Sequence, residues 1–583
     1  MNRKLILATT CILMLGLTWA CKDSFLEQKP YGAVNELTLS ASLNGADALL
    51  IAAYSNMDGF SSWDNGSPWG SAASNWVYGS IKGGDAHKGS EGNDQPDIVP
   101  LERHEDTPLN PYLIAKWKTY YDGVARANQT IRSLKAVPGA TDAQKNPRLA
   151  EARFLRGFYH YELKRIFNMV PYVDETNTVD KAPIPNDKDI FPSIQADFQF
   201  AVANLPVSQP EAGRATKGAA QSYLGLTYLW QQKYAEAKQQ FDAVIASGRY
   251  KLNAKYQDNF DPAVQNSPEG ILEVQQAVNV GTDDQGNNGD ILNFPYNGGP
   301  GGCCGFHQPS QNLVNAFKTD ANGLPLITTF NNADLKNDTG IGSDQPFTPD
   351  VTAPVDPRLD WTTGRRGIPY LDWGLHPGSA WVRLQAYGGP YSPKKNVYYK
   401  SQEGTLTSAS GWTKGYNTNN TKLMRYSDLL LMAAEAEVEA GSLEKARDYV
   451  NQIRKRAANP DGMVKKYVND ADPTKGSTTA NAANYRVGQY TTAWTDKAAA
   501  REAVRFERRI ELGMEGGRFF DLVRWGVADV VLNEYLTVEQ KKRTYLAGAT
   551  FKKGKSEYRP IPTEAINRST VDGKPALTQN PGY

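Results

Sequence analysis

Histidine and cysteine, which build most metal and nucleophilic centres, are scarce here: 5 and 4 in 583 residues. No His-Glu-x-x-His occurs, and the cysteine spacing gives no zinc site. Cys11 and Cys21 lie in or beside the leader, which leaves only the adjacent pair Cys303-Cys304 in "GGPGGCCGF". Neighbours cannot staple distant segments, so this is no disulfide-framework protein. Two readings of the pair stand open: a vicinal disulfide that stiffens its loop, or two thiols. An excess of either charge is also missing, with Lys+Arg at 64 against Asp+Glu at 63. That removes the electrostatic footprint of a nucleic-acid binder, and no acidic tail appears. Long apolar runs are absent after residue 20.

The one apolar run, Leu5 to Ala20, follows a basic Asn2-Arg3-Lys4 and is short for a span, which takes about 20 residues. It reads as a secretory signal over residues 1–20. Cys21 then stands at the cleavage point after small Ala20, where bacterial lipoproteins carry their diacylglycerol. The lipobox is irregular: Thr18 holds the place usual for Leu, and Leu17 lies one residue early. The alternative is an ordinary secreted protein with an incidental cysteine. Acyl chains contribute about 0.8 kcal/mol per buried methylene, enough together for a firm anchor. The polar chain after Cys21 reads as a tether.

Helical periodicity marks residues 112–137, where Trp117, Tyr121, Val124, Ile131 and Leu134 recur on one face. It marks 147–168 as well, with Asn146 as cap and Pro147 in the first position. Within 216–247, Leu224-Gly225, Tyr228, Tyr234, Ala237 and Phe241 fall on tetratricopeptide spacing. Gly225 and Ala237 are small where two helices cross; Phe241 fills the space beside them. A second such unit covers 427–457, with Ala434, Gly441 and Ala446. Helix pairs of this kind need neighbours to bury their faces. The expected fold is therefore mostly α, one compact domain with tetratricopeptide-like pairs and long loops. Its parts are 21–275 and 276–583, the latter loop-rich to about 425 and helical afterwards. A helix over 496–525 is broken by Gly516-Gly517, and "NDADPTKGSTTANAANY" reads as a surface loop.

The apparent catalytic patterns in the chain have simpler readings. Glu507, Glu511 and Glu515 resemble the paired acids of a glycosidase. Arg508–Glu511, Glu515–Arg518 and Arg518–Asp521, however, read as ordinary ion pairs of a helix surface. "GATFKKGKS" has the wrong glycine spacing for a phosphate loop. His104-Glu105-Asp106 reads as solvated loop. "DDQGNNGD" (283–290) offers oxygens but misplaces Gly286 for a calcium loop, so bound calcium stays a secondary expectation and no cofactor is expected.

Taken in order, "CKDSFLEQKP", "EARFLRGFYHYELKRIFNMVPY", "DPRLDWTTGRRG", "RYSDLLLMAAEAEVEAG" with "VNQIRKRA", "ERRIELGMEGGRFFDLVRWG" and "YRPIPTEAI…LTQNPGY" resemble the SusD/RagB-like family of outer-membrane nutrient-binding lipoproteins. The resemblance implies a non-catalytic surface lipoprotein on the outer membrane, anchored through Cys21. It implies a SusC-like, TonB-dependent transporter as partner and a glycan or oligosaccharide as ligand, or a peptide in some relatives. A secreted glycoside hydrolase and a pure protein scaffold are the readings from other classes.

Sugar rings present apolar C–H faces on which flat side chains stack. Trp63, Trp69, Trp76 and Tyr78 sit in a Gly/Ser/Asn-rich loop with no helical stripe to explain them. Tyr296 and Phe306 flank the segment whose position resembles the family's ligand-proximal loop, which Cys303-Cys304 would stiffen. Trp373, Trp381, Tyr387 and Tyr391 form a further candidate loop. Trp117, Trp230 and Trp525 read as core, and Trp361 after "DPRL" as structural.

Overall fold

The computed structural model describes residues 42–61, 68–178, 181–281 and 286–583. The leader, Cys21 and Trp63 lie outside the described residues. Long helices carry the N-terminal part: α1 Leu43–Ser55, α2 Pro111–Ala136, α3 Asp142–Phe167, α4 Phe191–Asn204, α5 Lys217–Trp230 and α6 Tyr234–Ala246. The C-terminal part adds α7 Tyr426–Ala440, α8 Leu443–Ala457, α9 Lys497–Leu512, α10 Arg518–Arg524 and α11 Ala528–Glu539.

Local chemistry sets the helix ends. Asn110 accepts from the Tyr112 N–H, and Pro111 takes the first position of α2. For α3 the expected start at Pro147 is corrected. The helix begins five residues earlier, because Thr141 and Gln144 form a capping box, and Pro147 lies inside. Gly516, at φ +73°, separates α9 from α10 as the sequence suggests.

Helices α5 and α6 form the first tetratricopeptide-like pair. A methyl group added at Gly225 would stand 2.5 Å from the Phe241 ring, which explains the small residue at that crossing. Helices α7 and α8 form the second pair, and α6 packs on α7, so the scaffold draws on both parts of the chain. One apolar core runs continuously from Leu50 to Leu577.

Strand content is small among the described residues. β1 (Ala86–Gly89) pairs antiparallel with β3 (Phe306–Pro309), and β2 (Gly270–Val274) with β4 (Thr421–Arg425). These ladders fasten the loop-rich stretch to the helical parts. The "surface loop" near 469–485 is an exposed hairpin, Lys465–Tyr467 with Ser477–Asn481.

Candidate functional site

The acids that resemble a glycosidase pair lie in the core. Glu507 and Glu511 are fully buried on α9, and Glu515 follows it. Glu507 bridges Arg454 at 2.6 Å and Arg358 at 2.7 Å. Glu511 bridges Arg425 at 2.6 Å and Arg358 at 2.8 Å, and also pairs with Arg456. Glu515 joins Arg425 at 2.8 Å and Lys395 at 2.6 Å. Burial alone would raise the Glu511 carboxyl, yet Arg456, Arg425 and Arg358 hold it well below the usual carboxylate range. Such groups are structural, as the sequence suggests, but the expected surface pairs are corrected. Arg508 bonds Asp521 and Asp428 instead, and Arg518 pairs with neither Glu515 nor Asp521. The helix buries these charges, so their partners come from distant segments that spacing along α9 cannot reveal.

His104-Glu105-Asp106 is also corrected. His104 and Asp106 are buried, and Asp106 pairs with Lys82 and Arg559. Among the described residues, no cluster of three or more His, Cys, Asp or Glu side chains stands ready for a metal ion. Residues 283–285 of the calcium candidate lie outside the described residues. Asp290 accepts from Ser74 and Asn293, and burial pushes its carboxyl up to about 6.

The aromatic candidates divide by burial. Trp76 is 1% exposed, donates Nε1 to the Gly289 carbonyl and packs edge-on to Phe306. Tyr78, 2% exposed, donates its hydroxyl to the Gly70 and Tyr112 carbonyls. Phe306 is fully buried on β3, and Tyr391 is buried with its hydroxyl on Gln311. Trp381 is buried edge-on between Tyr370 and His376. None of these five offers a ring face to a ligand, and their candidacy is corrected. The segment 68–81 turns inward and pins the loop to the core. Tyr387 stacks on Tyr545 at 4.2 Å.

Of the remaining candidates, Trp373 packs on a second, small core of Phe294, Tyr370, Trp381, Val397 and Tyr398. Three loops are fastened to it. The first, 293–305, is held by Tyr296 N–H to the Trp381 carbonyl at 2.8 Å and by Gly301 N–H to the Tyr398 hydroxyl at 3.0 Å. Gly301, at φ +72°, lies so close to Phe294 that an added methyl would stand 2.7 Å from the ring. In the second loop, Trp373 donates Nε1 to the Tyr398 carbonyl at 3.0 Å and stays half-buried. The third holds Trp412, whose Nε1 bonds the Tyr416 hydroxyl at 2.8 Å while 62% of the residue faces solvent. Its neighbour Thr413 donates to the Gly301 carbonyl at 2.8 Å, which brings this loop against the first. Cys303 and Cys304, at the base of the first loop where Cys304 N–H meets the Leu292 carbonyl, are joined as a disulfide.

Tyr296, half-buried, lies under the Arg383 guanidinium at 5.4 Å. Arg383 pairs with Asp94 at 2.7 Å and Glu91 at 2.9 Å. The next residue, Gln95, accepts from Trp69 Nε1 at 3.1 Å. Half-buried Trp69 is thereby linked to the Tyr296 face through one polar chain. Tyr296 and Trp373 are thus each hydrogen-bonded to the small core, Trp69 is connected through Asp94-Gln95, and exposed Trp412, not singled out in the sequence, lies on a loop tied to the first. The signal was present: "SASGWTKGYN" is a lone tryptophan in a Gly/Ser-rich loop, the pattern used for Trp63 and Trp69.

The sequence profile of the SusD family matches residues 268–583. The chain belongs to the SusD family. A second SusD-like profile, described as starch-binding associating with outer membrane, matches residues 82–229. That description points to outer-membrane association, while among the described residues no helix is long and apolar enough to cross a membrane. A SusD-like protein of Bacteroides ovatus is 27% identical over 290 residues, covering 47% of this chain and 50% of that protein. SusD-like protein P2 of Formosa agariphila is 24% identical over 88% of this chain and 90% of its own length. Two solved structures share the SusD fold at low identity. A laminarin binding SusD-like protein matches at TM-score 0.63 and 21% identity, over 93% of this chain and 99% of its own. Surface glycan-binding protein A from Bacteroides thetaiotaomicron, in complex with laminarihexaose, matches at TM-score 0.64 and 20% identity, over 92% and 99%.

Proposed function

We propose that this SusD-family protein is a non-catalytic glycan-binding lipoprotein of the outer-membrane surface. It captures an oligosaccharide on the Tyr296–Trp373–Trp412 face and delivers it to a SusC-like, TonB-dependent transporter. Cys21 carries the lipid that holds it at the membrane. The observation that carries this reading is Trp412, a large exposed aromatic on a loop hydrogen-bonded to the loop that holds half-buried Tyr296.

Stacking a sugar ring on such a face contributes about 0.5–1.5 kcal/mol per aromatic beyond burial. Hydrogen bonds from flanking polar groups add to this. Together they suit binding in the micromolar to millimolar range, about −8 to −4 kcal/mol, tight enough to capture and weak enough to release. Because the loops are fastened before ligand arrives, little ordering entropy opposes binding. The solved relatives named for laminarin and laminarihexaose support a neutral glucan as ligand. The non-catalytic reading is supported by the burial of Glu507 and Glu511, the acids that resemble a glycosidase pair, under arginines.

Affinity gel electrophoresis against a polysaccharide panel that includes laminarin and starch tests the proposal. The wild type is expected to be retarded by one glycan class, with retardation lost in Trp412→Ala and weakened in Tyr296→Ala and Trp373→Ala. No retardation by any glycan, or full retardation of Trp412→Ala, would refute it; peptide binding in its place would transfer the face to the peptide-capturing branch of the reading.

A further inference from the structure

A cavity of about 610 Å³ lies between α9, α10 and α11 and the segment 327–332, and shares no lining residue with the aromatic face. One of its walls is apolar, with Phe330, Phe506, Trp525 and Val531. Another carries Arg518, whose electrostatic situation differs from that of its neighbours. Arg508 pairs with Asp521, Arg509 with Asp85, and Arg524 with Glu435 and Asp521. The carboxylates whose charge acts on Arg518 are Asp85, Asp521 and Glu502, and each is already engaged by another arginine. Among the described residues Arg518 is left without an ion pair, and its Nε has no hydrogen-bond partner. Trp525 Nε1 and the hydroxyl of Tyr535, itself only 7% exposed, also lack partners among the residues that line the cavity. Desolvation, with Arg509 alongside, pulls the Arg518 guanidinium down to about 9, the sign of a cation lacking its counter-charge.

We propose that this cavity is a second ligand site, taking a single carboxylate carried on a flat or apolar body, with Arg518 as its counter-charge. A guanidinium fork matches a planar carboxylate through two parallel N–H···O bonds. The apolar wall accepts the body behind it, and the free Trp525 and Tyr535 donors supply further bonds. Exposed Glu534 at the cavity, without an ion pair among the described residues, opposes a second negative charge, so a monoanion is selected over a dianion. The uronate of an acidic glycan and the C-terminal carboxylate of a peptide share this chemistry.

Saturation-transfer NMR on the full chain in detergent, at constant ionic strength, separates these sources with glucuronate and N-acetylphenylalanine at about 10 mM each, a regime suited to weak binding. Binding of either probe is expected, weakened about tenfold or more in Arg518→Gln as the charge-assisted fork is lost. Glucuronate alone would assign acidic glycans, and N-acetylphenylalanine alone peptide ends. Glu534→Gln, an exposed change that leaves the core intact, is expected to tighten binding about threefold by removing a repelling charge. Silence from both probes, undiminished binding in Arg518→Gln, or no tightening in Glu534→Gln would overturn the site. Displacement by sulfate at equal concentration would overturn its preference for a monoanion.

Discussion

Glu511→Gln is the sharpest probe of what holds the molecule together. Glu511 sits in a buried network of five carboxylates (Glu269, Asp356, Glu507, Glu511, Glu515) and five cations (Arg358, Arg425, Arg454, Arg456, Lys395). The network is balanced in formal charge. Glutamine keeps the size and two of the contacts but removes one negative charge from among three guanidinium groups. Breaking a buried pair in this way costs about 3–5 kcal/mol, because the surviving cations stay desolvated and uncompensated. The pH dependence follows from the depressed Glu511 carboxyl. Its contribution is fully present above the unfolded glutamate value of about 4.3 and is lost as pH falls through the lower folded value. Denaturant titrations of wild type and variant should therefore show a constant gap from pH 7 to about pH 5 that narrows below it. A double variant with Arg456→Met should recover part of the loss, since the two residues share one contact. A gap below about 1 kcal/mol at pH 7 would show the network to be no stronger than a surface ion pair, and would refute the reasoning.

Gly225→Ala should lower stability by about 1–3 kcal/mol, read by thermal unfolding, because the added methyl meets the Phe241 ring at 2.5 Å. His87 is buried between Glu102 at 3.0 Å and Glu539 at 3.5 Å; burial alone would lower its pKa, but the two carboxylates raise it overall. Its contribution is therefore present below the unfolded value of about 6.5 and lost as pH rises through the folded one. Relative to His87→Gln, the wild type should lose stability as pH rises above about 6.5, and a flat difference would contradict this. Cys21→Ala should release the protein from membrane to soluble fractions; retention in the outer membrane without a transporter present would end the anchor proposal.

The helices were legible because their signals are local. Trp117, Val124 and Ile131 repeat at helical spacing, and the Gly225, Ala237 and Phe241 pattern encodes a crossing that the structure reproduces. The start of α3 was misread because two local cues competed, and the Thr141–Gln144 capping box prevailed over Pro147. Helices α1, α4 and α11 went unannounced.

Burial of a loop aromatic is a long-range property, and here local reading failed in both directions. Trp76 and Trp412 stand in similar Gly/Ser-rich settings, yet one is 1% and the other 62% exposed. What separates them is partners distant in the chain. Trp76 finds the Gly289 carbonyl and the Phe306 edge, more than 200 residues away, whereas Trp412 bonds only its own loop at Tyr416. A tryptophan whose hydrogen bond is satisfied nearby, on a loop fixed by the backbone of Gly301, is free to leave its face outside. An aromatic in a long loop is therefore buried or exposed according to the distant partners it finds, not according to the polarity of its loop. Phe294 and Tyr398 pack on one another in the small core to which the neighbouring Gly301 loop is fastened, and Trp412 stays outside it.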